Sequence, residues 1–414
     1  MRRLPILAFL FVSLSVLGTS WTTPAVADEA AKSRVVSPPG PGLPLPFSPA
    51  MAAGDFLYLS GAIANEPGKT TVDGDAKAQM KKTMENLGAV LKADGLDFSR
   101  VVAADVFLSD IRHFGVMNEV YGTYFADGKR PARTTIEADI AIPNAITEVG
   151  MIAARAGVEM EWIVPEGWPV SSSFSWGVRA GDTLFLSGLV SSDPAGGGLV
   201  LGEPTVAGFK TQLEQTLKNV DTILKAAGMT KKNVVGCRVY LPDPRDYNVM
   251  NDVYGAYFNE EPRPVRATVR ARLANPALRI EVTCTAMRGE RKAVTAANAA
   301  PSTRPFSAGI QVGDQLFLSG MVGRGPDGYP AGIEAQTRVT LDRLKATMDA
   351  AGLDFRDVVS ASVFLTDARH YQAMNKIYAE VVGTPPPARA TVGTPLMSPD
   401  ALVEIQMTAV RRKD

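Results

Sequence analysis

The sequence predicts an α+β protein built from three tandem domains, each with the order β-α-β-α-β-β. Three observations predict it. A strand-like block, Gly-Asp-x-Leu-x-Leu-Ser-Gly, occurs three times, ending at Gly61, Gly188 and Gly320, so the repeat is about 130 residues long. Further blocks follow in register in each copy: Met117-Asn118, Met250-Asn251 and Met374-Asn375, then Arg133, Arg266 and Arg389, then Glu148, Glu281 and Glu404. The copies are separated by stretches rich in Pro, Gly and Ser. A solenoid repeat has about 20 to 50 residues, whereas a unit of this length can bury a core of its own.

The elements follow in chain order. Arg2 and Arg3 precede an apolar stretch over residues 4–18, and Ala25-Val26-Ala27 offers a small-x-small cleavage site before Asp28. That pattern reads as a secretory signal peptide over residues 1–27, since the apolar run falls short of the roughly 20 residues that span a bilayer. The mature protein is therefore expected to be periplasmic or secreted, with no membrane attachment. Residues 28–46 read as a linker. The domains are expected at 47–160, 168–288 and 301–412, with linker compositions between them. In the first copy, residues 56–61 alternate and favour a strand. Met80, Met84, Leu87 and Leu91 fall at helical spacing, and Gly95 marks the helix end. Residues 101–108 read as a buried strand. Asp110 is placed to cap a second helix bearing Phe114, Met117, Tyr121 and Tyr124 on one face. Residues 134–140 and 149–154 supply the last two strands. In the second copy, Leu213, Leu217, Val220 and Leu224 mark the equivalent long helix.

Composition narrows the function. The chain has 414 residues, 43 basic and 43 acidic, for a formal net charge of zero, with 46% apolar residues. Such a chain is not disordered, and it lacks the Lys and Arg surplus that neutralises phosphates, so no nucleic-acid partner is expected. Two His and two Cys show no metal-ligand spacing, and no metal is expected. Cys237 and Cys284 each lie in a strand-like run. Export permits a bridge between them if the strands are neighbours; two small buried core residues fit the sequence equally well.

An Arg fork pairs bidentately with a carboxylate, and a Glu beside an apolar strand needs a partner or a task. The Gly-Asp-x-Leu-x-Leu-Ser-Gly, Met-Asn-x-x-Tyr and Pro-Ala-Arg-x-Thr blocks, with Glu fifteen residues beyond each Arg, resemble the RidA family (YjgF-type reactive-intermediate deaminases). The resemblance covers nearly all of the chain after residue 46, three times over. It implies a chorismate-mutase-like fold for each domain and an intramolecular pseudo-trimer, with ligand clefts between neighbouring copies. It also implies that Arg133, Arg266 and Arg389 hold a small-molecule carboxylate. Glu148, Glu281 and Glu404 would direct a water onto an imine carbon as general bases, without a cofactor. The implied reaction is a 2-iminobutanoate/2-iminopropanoate-type deamination, from 2-imino (enamine) acids to 2-keto acids and ammonia.

Ser60, Ser187 and Ser319, or the N–H groups beside them, either position the ligand or mark a strand end that needs a small residue, and Asn118, Asn251 and Asn375 on the second helix either contact the cleft or cap a neighbour. Thr135, Thr268 and Thr391, where the family often carries Cys, offer a backbone N–H to the carboxylate. Phe47, Phe174 and Phe306 line the cleft where well-characterised members carry Tyr, so a hydroxyl is missing. That departure, with export, favours an alternative: a non-catalytic protein that binds small carboxylates. Ribonuclease activity fits neither the neutral charge nor the scarcity of His. Spacing alone leaves open whether an Arg meets the Glu of its own copy or of a neighbour.

Overall fold

The structure is a computed structural model that describes residues 33–40, 44–126, 128–297, 299 and 303–412, together with Met1. The signal-peptide expectation for residues 1–27 lies outside the described residues. Among the described residues, no helix is long and apolar enough to cross a membrane.

Each copy folds as a mixed sheet with two helices on one face. In the first copy the sheet runs, edge to edge, Arg34–Val36, Ala50–Ala53, Phe56–Ala62, Thr147–Ala154, Val101–Leu108, Ala132–Glu137. Only the last pair is parallel; the others are antiparallel. The long helices are Ala76–Ala93, Val206–Ala226 and Ile333–Ala350. Asp75 caps the first by accepting from Ala78 N–H, and Gly95 at φ 70° follows its end, as the αL exit of a helix favours glycine. Met80, Met84, Leu87 and Leu91 are all buried against the sheet, as their spacing predicts.

The sequence reading differs from this fold in four places. The hairpin partners Ala50–Ala53, Gly177–Ala180 and Gly309–Val312 escape it. The second helix of the first copy is reached through a short 3-10 turn that Asp110 caps, and it ends at Gly122, before Tyr124. Residues 134–140 do not form one strand. Ala132–Glu137 stays in its own sheet, while Asp139–Ile140 leaves to pair with Ala388–Gly393 of the third copy. The segments between copies are also structured in part: Arg34–Val36, Met160–Ile163 and Lys292–Val294 each add a strand to the sheet that follows.

These exchanges close a ring. Arg272–Leu273 of the second copy extends the first copy's sheet. Leu396 of the third bridges to Val269 of the second. Asp139–Ile140 of the first extends the third. Each central strand is consequently buried on both faces. Ala104, Val106 and Leu108 pack under their own helices, while Val102 and Phe107 pack against the other copies. Hence residues 101–108 read as an apolar run broken only by Asp105 rather than as an alternating one. The three domains thus form the pseudo-trimer that the repeats imply.

The copies are not identical at their centre. Asp105, Arg238 and Ser362 occupy one equivalent position and line a central cavity of about 160 Å³. Arg238 Nη2 donates to Asp105 Oδ2 at 2.7 Å. Three identical chains would place three identical side chains there, so this ion pair is available only to fused, diverged copies. Cys237 and Cys284 are opposite each other on neighbouring strands and form a disulfide. The first and third copies carry Ala104 with Met151 and Ala361 with Met407 at these places. Thiol titration of the native chain without reductant is expected to find no free thiol. Breaking the bridge is expected to cost about 2–4 kcal/mol in a urea melt.

Candidate functional site

Each Arg is fixed at the start of the strand that forms the edge of its own copy, where the next copy abuts. Arg389 N–H donates to Ser60 Oγ at 2.7 Å, Arg133 N–H to Ser187 Oγ at 2.8 Å, and Arg266 N–H to Ser319 Oγ at 2.9 Å. Each Ser hydroxyl in turn donates at 2.6 Å to a carbonyl of its own copy: Ser48, Ser175 or Ser307. Gly188 and Gly320 N–H donate to Arg133 O and Arg266 O. These partners fit the reading in which the serines are structural. Their one hydrogen is already committed, and together with the neighbouring N–H groups they stitch the copies.

The glutamate at each seam comes from the same copy as the serine. Gly61 shows why the motif ends in glycine: a Cβ there would lie 2.0 Å from Glu148 Oε1. Gly188 and Gly320 stand in the same relation to Glu281 and Glu404. Glu148 Oε1 accepts the N–H of Thr391 at 3.2 Å, and Thr135 and Thr268 N–H serve Glu281 and Glu404 alike. In this structure the Thr N–H groups thus hold the glutamate, where the resemblance implies a substrate carboxylate. The charge facing Glu148 is Arg389, that facing Glu281 is Arg133, and that facing Glu404 is Arg266. Every pair is made in trans, between the Arg of one copy and the Glu of the next around the ring.

Burial sets the chemistry of both groups. All three Glu are about 6% exposed. Loss of water pushes Glu148 and Glu281 up to about 8 and Glu404 up to about 7, against the smaller pull of the Thr N–H and the Arg. Arg133 and Arg266 are lowered from their ordinary value, first by desolvation. Aromatic rings make these buried cations tolerable. Arg389 lies over Tyr378 at 4.6 Å and Phe47 at 5.1 Å. Arg266 lies over Phe306 at 4.7 Å and Tyr254 at 4.9 Å, and Arg133 over Tyr121 at 5.0 Å. Phe174 instead packs edge-on against Trp176.

Asn375 and Asn251 accept from Nη2 of Arg389 and Arg266 at 2.6 Å, whereas Asn118 Oδ1 is buried without a partner. The rings of Tyr121, Tyr254 and Tyr378 were not singled out as site residues from sequence, although the repeated Met-Asn-x-x-Tyr block carries them.

The seam between the third and first copies opens into a cavity of about 170 Å³ that holds both Arg389 and Glu148. Arg389 Nε and Nη1 are buried there without a hydrogen-bond partner among the described residues. A buried cation with free donors, next to a carboxyl that ionises near neutral pH, can bind an anion and move a proton beside it.

The profile of the endoribonuclease L-PSP family matches three times, at residues 41–155, 168–288 and 297–411. The chain belongs to this family. Protein DfrA of Myxococcus xanthus is 41% identical over 126 residues, which is 30% of this chain and 95% of that protein. A RutC family protein of Synechocystis is 36% identical over 110 residues, 26% of this chain and 85% of that protein. Among solved structures, a YjgF-family protein from Neisseria meningitidis is 28% identical and covers 30% of this chain and 98% of its own, with a TM-score of 0.27. The RidA resemblance read from the repeated motifs is borne out, as is the fold of three tandem family domains. At each seam the Arg and the Glu come from adjoining copies, whose order the single chain fixes.

Proposed function

We propose that this family member hydrolyses 2-imino acids to 2-keto acids and ammonia in an exported compartment. The observation that carries the reading is the pairing, inside one cavity, of Arg389 with unpartnered N–H groups and Glu148 with a raised pKa. The substrate carboxylate pairs with Arg389. The Glu148 carboxylate takes a proton from a water as its oxygen bonds to the imine carbon. The protonated Glu148 then returns that proton to the amino nitrogen. Glu148 then carries the hydroxyl proton to the same nitrogen, so that as the carbon–nitrogen bond breaks the hydroxyl oxygen becomes the keto oxygen and ammonia leaves. One water is consumed, and no redox partner is required. A base that ionises near working pH is suited to both transfers. The Cys237–Cys284 bridge supports export, since such bridges persist in oxidising compartments.

The test supplies an imine in situ from an amino acid and an amino-acid oxidase and follows ammonia release. The chain is expected to accelerate release in proportion to its concentration. Release at the spontaneous rate, with a 2-keto acid still bound at the seam, would favour the carboxylate-binding alternative.

A further inference from the structure

We infer that the seam between the third and first copies is the working cleft, and that it takes 2-imino acids with medium-sized apolar side chains. This rests on the carboxylate-binding reading above and names its substrate class. The three seams repeat the Arg and the Glu but not the walls. After the Ser-Gly pair, this seam has Ala62, where the other two have Leu189 and Met321. Leu189 and Met321 are buried at 2% and 7% exposure, whereas Ala62 is half-buried and forms part of the cavity wall. Leu189 and Met321 point into the cores of their own copies, so the difference that shapes the seams lies on the other wall.

That wall carries the contrast. Ala141 and Ile142 line this cavity, while the equivalent pairs are Ala274-Asn275 and Met397-Ser398. The donors differ too. At the seam between the second and third copies, Tyr247 as well as Asn251 bonds the Arg266 side chain. Arg389 keeps Nε and Nη1 free.

An apolar cavity of about 150 Å³ accommodates a benzene ring, so a cavity of about 170 Å³ with largely apolar walls, shared with the carboxylate, the imine carbon and the water, suits a side chain of roughly three to four carbons. Each buried carbon is worth about fourfold in affinity. A methyl side chain would leave most of the space unused.

The experiment is calorimetric binding of two product-type keto acids to the full chain: 4-methyl-2-oxopentanoate and pyruvate. The expected result is one site per chain, with the larger acid bound on the order of tenfold tighter or better. Ile142→Asn, which copies Asn275, is expected to remove that preference. Ala141→Met, which copies Met397, is expected to weaken it should the first variant fold poorly. Equal affinity for the two acids, three equivalent sites, or a preference unchanged in both variants would overturn the inference. Because the readout is binding, it separates from the deaminase reading. A chain that binds selectively without releasing ammonia refutes only the proposed reaction. One that releases ammonia without side-chain preference refutes only this inference.

Discussion

Replacing Glu148, Glu281 and Glu404 together by Gln is expected to stabilise the protein at pH 8 while lowering turnover by about 10²- to 10⁴-fold. The two effects share one cause. Each carboxyl is buried, and burial raises it from an ordinary value of 4.5 to about 7 or 8. Below about pH 4.5 the folded and unfolded chains are both protonated at these groups, and they add nothing to the pH dependence. Between about 4.5 and 8 the unfolded chain has lost these protons while the folded chain keeps them, so stability falls as pH rises. Above about 8 the loss is complete, on the order of a few kcal/mol per carboxyl. Gln carries no such cost and still accepts the Thr N–H, so the seams persist. Urea melts at pH 4 and pH 8.5 check this: the variant's advantage should be small at the lower pH and large at the higher. A gap independent of pH would show that these carboxyls do not titrate as described. By the same reasoning, wild-type kcat/KM should rise with pH as Glu148 ionises, up to about pH 8.

Arg389→Ala is expected to lower kcat/KM by about 10²- to 10³-fold, on the basis that hydrogen bonds to a charged group contribute about 1.5–3 kcal/mol each. Most of the loss should fall on KM, because the carboxylate is held equally before and during the reaction. Arg389→Lys keeps the charge but not the planar fork and should recover only part of it. The guanidinium also fills the space between Phe47 and Tyr378. A thermal melt must therefore accompany the kinetics, to separate lost packing from lost binding. Equivalent changes at Arg133 and Arg266 should matter far less if one seam carries the activity.

Much of this was legible in the sequence, and the parts that were not share a physical reason. The triplication, the long helices and the buried central strands follow from local patterns. Ala50–Ala53 was invisible because Ala-Met-Ala-Ala has no alternation to detect. The division of residues 134–140 depends on a strand from another copy, and no local pattern encodes that. Ser60 and Thr391 were assigned to the ligand by the family resemblance, and their recurrence in every copy added nothing to it. A seam stitch recurs for the same reason as a ligand contact, so repetition cannot tell them apart. The fifteen-residue spacing of Arg133 and Glu148 suggested a pair within one copy as readily as between copies. Only the ring order shows that Arg133 faces Glu281 while Glu148 faces Arg389.

That order is tested most directly by double-mutant cycles on imine turnover. Glu148→Gln should be strongly non-additive with Arg389→Ala, since both act on one bound substrate, and additive with Arg133→Ala. Coupling of Glu148 to Arg133 in place of Arg389 would contradict a site shared between adjoining copies.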